Sequence, residues 1–382
     1  MSFLDDIRRI ADDVAAPNAD SVDREARFPA ESVAALREVK ALSSFIPTEY
    51  GGGGEPFENI AEACFELGRR CGSSAMVFAM HQIQVAVIVR HLDSGWFEDY
   101  LREVADQQRL IASVTSEVGT GGDMGRSIAA VDAADDGAQT FVKQAPTASY
   151  AGHADDYLTT VRRSPDAEGN DQVTVLSRKE DTQLEQNGTW DTLGMRGTCS
   201  PSFTVSARFA PEQVMATPFS TSAIESMVPI SHILWSHLWL GIATDAFDRS
   251  RAFVREAAKR SGGAPSPAGA RLSHLMSELS LLRAEVSSAL TEFLAASAEP
   301  GRPRLSTMAS ALRFNNLKIA ASEQAPRVCQ GAMAVTGVVG YKNDTPFSVG
   351  RHLRDSLSAP LMIANERIHQ TNAGLLLIAK DV

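Results

Sequence analysis

Apolar and polar positions alternate with two different periods along this chain, and the change of period divides it into three. Near the N-terminus, Ser2 and Asp5 form a capping-box-like start, and Phe3, Ile7, Ile10 and Val14 follow at helical spacing. A second helical pattern runs from about Pro29 to Glu38 and stops before Ile46-Pro47 and the glycine run Gly51 to Gly54. Residues 57–70 and 74–92 are again helical. The second of these is apolar nearly all round, which predicts a buried helix. From about Leu110 to Ala216 the period shortens to two. Tyr157–Val161, Gln172–Ser177 and Ser202–Phe209 read as strands separated by turn clusters, predicting a small antiparallel β domain. Beyond Ser222 the helical period returns. Leu272, Leu275, Met276, Leu279, Leu282, Val286, Leu290 and Phe293 form one long stripe. Breakers at Ser261–Pro267 and Glu299–Pro303 separate long helices, as in an up-down bundle. Helices, then strands, then helices argue for an α+β fold and against a doubly wound sheet. The expected segments are 1–109, 110–218 and 219–382.

Composition narrows the function classes. The chain has 382 residues, enough for two or three domains, and 44% of them are apolar. The net charge of −11 lacks the clustered basic excess that nucleic-acid binding needs. Cys64, Cys71, Cys199 and Cys329 are too far apart for a C-x-x-C pair, so no metal site or redox dithiol is expected. The acidic N-terminal stretch does not read as a signal peptide, and no run of about 18 uninterrupted apolar residues predicts a membrane span. The expectation is a cytoplasmic protein with reduced thiols and no membrane partner. No metalloprotease, nucleophile-elbow or P-loop motif occurs. Gly119-Thr120-Gly121-Gly122-Asp123-Met124 fails the dinucleotide fingerprint, because Met124 takes the third glycine position.

The run Trp190-Asp-Thr-Leu-Gly-Met-Arg-Gly-Thr-Cys-Ser200 resembles the middle-domain signature of the acyl-CoA dehydrogenase family. Ile46-Pro-Thr-Glu-Tyr-Gly-Gly, Ser116-Glu-Val-Gly-Thr-Gly-Gly-Asp123, Leu240-Gly241, Gly337-Val-Val-Gly340-Tyr341 and Leu353-Arg354-Asp355 agree with further family elements in order. The resemblance spans nearly the whole chain. It implies an N-terminal helical domain, a central β-barrel and a C-terminal four-helix bundle, with FAD as cofactor and a dimeric or tetrameric assembly. It places Thr115, Ser116, Gly121 and Gly122 in the flavin-facing loop, with Gly122 where the family usually has serine. Thr147 and Ser149 take the place of a W-I-T or W-I-S strand. Ser149 keeps the hydroxyl near the flavin N(5), and Thr147 loses the aromatic shield. The adenine side is degraded. Arg260, Gly337 and Gly340 remain as candidate contacts, while Val338 and Ala334 replace a glycine and a glutamine.

The resemblance also implies a carboxylate that removes the α-proton of an acyl thioester while hydride passes to the flavin. Counting from Arg354-Asp355, that position falls on Ile363, or on Met362 if the register shifts by one. The family's alternative base position falls on Ser231, beside His232. Neither position is acidic. Glu366 lies near Ile363 but about one turn further on. His232 shares a helix face with Trp235, Ser236 and Trp239, either as a flat acyl pocket or as ordinary core. His81, Ser149, His232 and Asn365 are candidate donors if oxygen is activated at the flavin. The expected function is an FAD-dependent oxidoreductase acting on an acyl thioester, carried by CoA or an acyl carrier protein, with O2 or an electron-transfer partner as acceptor. A flavin-dependent monooxygenase and a non-catalytic flavin-binding protein stand beside it.

Overall fold

The computed structural model describes residues 2–260 and 267–379. The breaker at Ser261–Ser266 and the end of the chain from Lys380 lie outside the described residues. The chain begins with α1 (Phe3–Ile10), which carries the Ser2/Asp5 capping box, and α2 (Ala16–Arg24), joined by a wide π-helical turn at Ala11–Ala15. Next come α3 (Ala30–Glu38), α4 (Phe57–Arg70), α5 (Gly72–Arg90) and α6 (Gly95–Gln107). The α5 helix is long and apolar enough to cross a membrane, yet 89% of its apolar window is buried within the protein. Its all-round apolar surface is explained by neighbours on every side.

Seven strands follow. The first, β1 (Ile111–Val114), pairs with β4 (Asp156–Arg162), which pairs with β5 (Gln172–Arg178). A second sheet runs β2 (Asp132–Ala133), β3 (Gln139–Ala145), β7 (Phe203–Phe209), β6 (Thr182–Gln186). The expected all-antiparallel domain needs one correction. β1 and β4 are parallel, from Ile111 opposite Asp156 to Val114 opposite Thr159. Many residues separate the two strands, including the second sheet's first hairpin, so a parallel return is possible without a tight turn.

The C-terminal part holds α7 (Phe219–Ser222) and three long helices, α8 (Val228–Arg260), α9 (Pro267–Ser297) and α10 (Met308–Thr336). Short α11 (Val338–Tyr341), α12 (Gly350–Ser356) and α13 (Asn365–Leu376) complete it. α12 and α13 pack on α10, so the fourth column of the bundle is broken into two pieces. The break between them, Leu357–Ala364, forms one wall of the main cavity.

The helical N-terminal part is locked onto the bundle where α4 crosses α8. A Cβ on Gly68 would stand 2.5 Å from the Leu238 carbonyl oxygen, and one on Gly241 would stand 2.4 Å from that of Phe65. Backbone meets backbone there, and only glycine fits on either side. All four cysteines are unpaired.

Candidate active site

A cavity of about 760 Å³ opens where α5, the β1 and β3 ends, the start of α8 and the Leu357–Ala364 break meet. Its size falls in the usual range for small-molecule sites, about 300–1,000 Å³. Three loops shape it, and each is held by a specific buried device.

The first loop is Thr115–Met124. Glu117 is buried, and its carboxylate accepts from the Ile128 and Ala129 backbone N–H groups at 3.1 and 2.6 Å. Lys143, fully buried beneath it, donates to the Thr115 carbonyl at 3.1 Å and to that of Thr160 at 2.6 Å. Burial pulls the Lys143 pKa down to about 8, against the opposing pull of Glu117. Gly119, Gly121 and Gly122 all have positive φ (90°, 62° and 82°), so the turn exposes backbone where a side chain would stand.

The second loop is the Trp190–Ser200 run, and its residue types now have reasons. The Trp190 indole N–H donates to the Met195 carbonyl at 3.2 Å. Arg196 pairs with Asp191 at 3.0 Å and reaches across to the Asp23 carbonyl at 2.8 Å. A Cβ on Gly194 would fall 2.1 Å from the Arg354 carbonyl oxygen. The Met195 N–H then donates to the buried Asp355 carboxylate at 2.7 Å. Burial raises the Asp355 pKa to about 6, although Arg351 and the Met195 N–H favour its charge. The loop is thereby fastened to α12. Asp355→Ala leaves the buried Met195 N–H without its acceptor. It is expected to cost about 1–3 kcal/mol, and Asp355→Asn clearly less, measured by urea unfolding.

The third loop carries Ile363. It has a left-handed backbone, φ 49°, which is unusual for a β-branched residue. Lys318 holds it there. Its ammonium donates to the carbonyls of Ile363 at 2.9 Å and Ala359 at 3.1 Å, and to Asn365 Oδ1 at 2.6 Å. Burial pulls the Lys318 pKa down to about 7. Tyr150, Met195 and Cys199 also have positive φ and sit on or beside the same cavity. Such left-handed residues concentrate where surrounding structure over-determines the backbone, as at ligand sites.

The cavity brings together Thr115, Ser116, Gly121, Gly122, Thr147 and Ser149, and also Trp235, Met362 and Ile363. The Ser149 hydroxyl ends a chain of hydroxyls. Thr198 donates to the Met195 carbonyl at 2.9 Å, Thr198 and Ser200 are 2.9 Å apart, and Ser200 donates to Ser149 at 2.9 Å. Ser149 therefore accepts within the protein and keeps its own proton for a ligand. The buried Trp235 indole N–H has no partner among the described residues. Six methionines, Met76, Met80, Met124, Met195, Met227 and Met362, line the cavity.

Several expected residues lie elsewhere. His81 is fully buried away from the cavity. Its Nε2 faces the Leu42 carbonyl at 2.7 Å and its Nδ1 accepts from the Ile111 N–H at 3.0 Å, so both nitrogens are spent on structure. His232 does not line the cavity, because its Nδ1 turns to the Phe314 carbonyl at 3.0 Å. Trp239 is fully buried behind Trp235. The Asn365 side chain turns inward to Lys318 and Ser322, and Glu366 is exposed outside the lining. Arg260 is exposed and pairs with Glu256. Gly337 caps the N-terminus of α11 and Gly340 lies within it, away from this cavity. Arg367 and Lys318 were not singled out from sequence, and Asp355 only as part of a family element, because what Lys318 and Asp355 hold lies far away in the chain.

Among the described residues, Asp123 is the cavity's one carboxylate, and its Oδ1 accepts from the Gly125 N–H at 2.9 Å. Ser231 and Ile363, the two positions where a base was sought, both line the cavity and neither can take a proton at neutral pH. Exposed glycine backbone, a free serine proton and a broad apolar floor fit a planar nucleotide ligand.

Comparison with known proteins gives the class to which this fold belongs. The profile of the acyl-CoA dehydrogenase N-terminal domain matches residues 1–125, and that of the C-terminal domain matches residues 225–365. The chain belongs to the acyl-CoA dehydrogenase family, a family of flavin-dependent oxidoreductases. It is 23% identical to a probable acyl-CoA dehydrogenase, FadE25, of Mycobacterium tuberculosis over 358 residues, covering 92% of this chain and 88% of the relative. It is also 23% identical to cyclohexane-1-carbonyl-CoA dehydrogenase of Geobacter metallireducens, covering 98% of this chain and 95% of the relative. Among solved structures, FMN-bound TdsC from Paenibacillus sp. A11-2 superposes with a TM-score of 0.83 at 20% identity, covering 98% and 96% of the two chains.

Proposed function

We propose that this enzyme holds a flavin nucleotide in the cavity, with Ser149 beside the ring system, and oxygenates a bulky apolar small molecule with O2, the two electrons that reduce the second oxygen atom to water coming from flavin supplied in its reduced form by a separate reductase. One observation carries the reading. The side chains at Ile363 and Ser231, the two positions where the resemblance seeks the base, are not acidic, which argues against α,β-dehydrogenation of a thioester by the usual route. A flavin bound there supplies hydride and oxygen chemistry, and the protein supplies placement. Ser149, whose oxygen accepts from Ser200, would offer its own hydroxyl proton to the ring edge. Met76, Met80 and Trp235 exclude water from the reacting face. TdsC is itself described as a dibenzothiophene monooxygenase, which supports oxygen chemistry on this scaffold.

A second reading has its own support. The full-length likeness to cyclohexane-1-carbonyl-CoA dehydrogenase favours FAD-dependent dehydrogenation of an acyl thioester, on CoA or an acyl carrier protein, without the usual base. Both readings keep the expected homo-oligomer, for which exposed Val338 and Tyr341 offer apolar contact surface.

The test is anaerobic mixing of the holoenzyme with a panel of acyl-CoA esters, followed by addition of reduced flavin, O2 and aromatic candidate substrates. Released flavin is identified by chromatography as FAD or FMN. No bleaching by any ester, together with oxygen incorporation, is the expected result. Bleaching by an acyl-CoA overturns it in favour of the second reading. Under that second reading, Ile363→Glu restores the base and raises bleaching by about 10²–10⁴-fold. A colourless protein with no flavin affinity removes both and leaves the non-catalytic alternative.

A further inference from the structure

Two arginines line the cavity, and they differ in one respect. Arg354 is paired with Asp23. Arg367, in the first turn of α13, makes no side-chain hydrogen bond or ion pair with any described residue. In a chain with 47 carboxylates and 36 lysines and arginines, a half-buried guanidinium without a carboxylate is a feature to explain. Its position is specific. A Cβ on Gly121 would stand 3.2 Å from Arg367 Nη2, and one on Gly122 would stand 3.3 Å from Nε. The guanidinium therefore leans over two consecutive left-handed glycines, with no side chain between it and their backbone. The neighbouring carboxylate, Asp123, is engaged by the Gly125 N–H and forms no ion pair with Arg367.

A planar fork of N–H donors facing glycine backbone is the geometry that takes an oxyanion with several acceptor oxygens. Successive glycines in a left-handed turn also leave backbone N–H groups open to an anion. We propose that Arg367 and the Gly121–Gly122 turn form a phosphoryl-binding corner of the cavity. It rests on the reading of the cavity as a nucleotide site and adds the group that anchors the nucleotide. The phosphoryl group belongs either to the flavin nucleotide or to a phosphorylated carrier on the substrate, and the two sources separate experimentally. The corner also gives the degraded adenine side a functional replacement, because the ligand is gripped at its phosphate.

The test uses wild type, Arg367→Gln and Arg367→Lys. Arg367 has no partner to lose among the described residues, so the variants are expected to melt with wild type. Flavin-free protein is titrated with riboflavin and with FMN, and flavin-loaded protein with pantetheine and with coenzyme A. The expected result is a wild-type preference for FMN over riboflavin that falls about tenfold or more in Arg367→Gln, is partly kept in Arg367→Lys, and weakens with salt. If the flavin ratio is unmoved while the coenzyme A preference over pantetheine collapses, the corner stands and serves the substrate's phosphate. If neither ratio moves, Arg367 is a hydrated surface arginine and the proposal is overturned. If wild type binds neither of these flavins nor FAD, the flavin reading fails separately, and the pantetheine and coenzyme A titrations, repeated on the flavin-free protein, decide the corner.

Discussion

Between pH 7 and pH 5 this protein is expected to lose several kcal/mol of its folding free energy, on the order of 2 kcal/mol for each buried neutral histidine. His81, His91 and His237 are buried, and desolvation pulls each of their pKa values down to about 4. His232 is pulled down to about 3 by burial and by the nearby Lys318. A base whose folded pKa lies below its unfolded value of about 6.5 binds its proton only on unfolding in that window. Stability is therefore complete above about pH 6.5 and falls as the pH drops towards 4. At pH 5 each histidine costs roughly 2 kcal/mol, and the four together roughly 8 kcal/mol. Asp355 works in the opposite direction. Its raised pKa makes the folded state the better proton binder between about pH 4 and 6, returning roughly 1 kcal/mol. The net loss matches the whole stability of a typical domain, about 5–15 kcal/mol. Urea midpoints measured from pH 7.5 to 5 check this, with net proton uptake on unfolding of about three at pH 5. A midpoint that stays flat across that range would sink the idea.

The second large effect sits at the α4–α8 crossing. Gly241→Val places a branched side chain within 2.4 Å of the Phe65 carbonyl oxygen, an atom that cannot rotate away. The helices must part, and the cost is expected at the upper end of overpacking effects, about 3 kcal/mol or more. Gly68→Ala strains the same crossing from the other side, against Leu238. Once one substitution has parted the helices, the second meets less resistance. Gly68→Ala/Gly241→Ala is therefore expected to cost less than the two single changes added, by about 1 kcal/mol. Strict additivity in denaturant unfolding would show that the two glycines do not share one contact. Because α5 and the start of α8 both line the cavity, the same variants are expected to weaken flavin retention.

Much of the architecture was legible in the sequence because hydrophobic period is a local signal. The expected helix at 57–70 is α4 (Phe57–Arg70), and the strand read at Gln172–Ser177 is β5 to within one residue. Pairing is not local, and the parallel β1–β4 register had no counterpart in the pattern. The site divided along the same line. Residues within a motif, such as Gly121, Gly122 and Ser149, could be placed on the cavity from the resemblance. Which way a lone polar residue on an apolar helix faces could not be read from period. His81 thus proved to be a strut beneath Ile111. Lys318 acts on Ile363 across 45 positions, and no local signal connects them.

The methionine lining carries a consequence for how the protein ages. Six of its 11 methionines face one cavity, and thioethers are readily converted to sulfoxides. If O2 is consumed there and turnover is imperfectly coupled, escaping oxidant meets these side chains before it reaches solvent. Each sulfoxide turns a soft apolar wall polar, so substrate affinity would decline with the number of futile cycles. The pattern of oxidation along the chain, read peptide by peptide, would then record how often the enzyme has misfired.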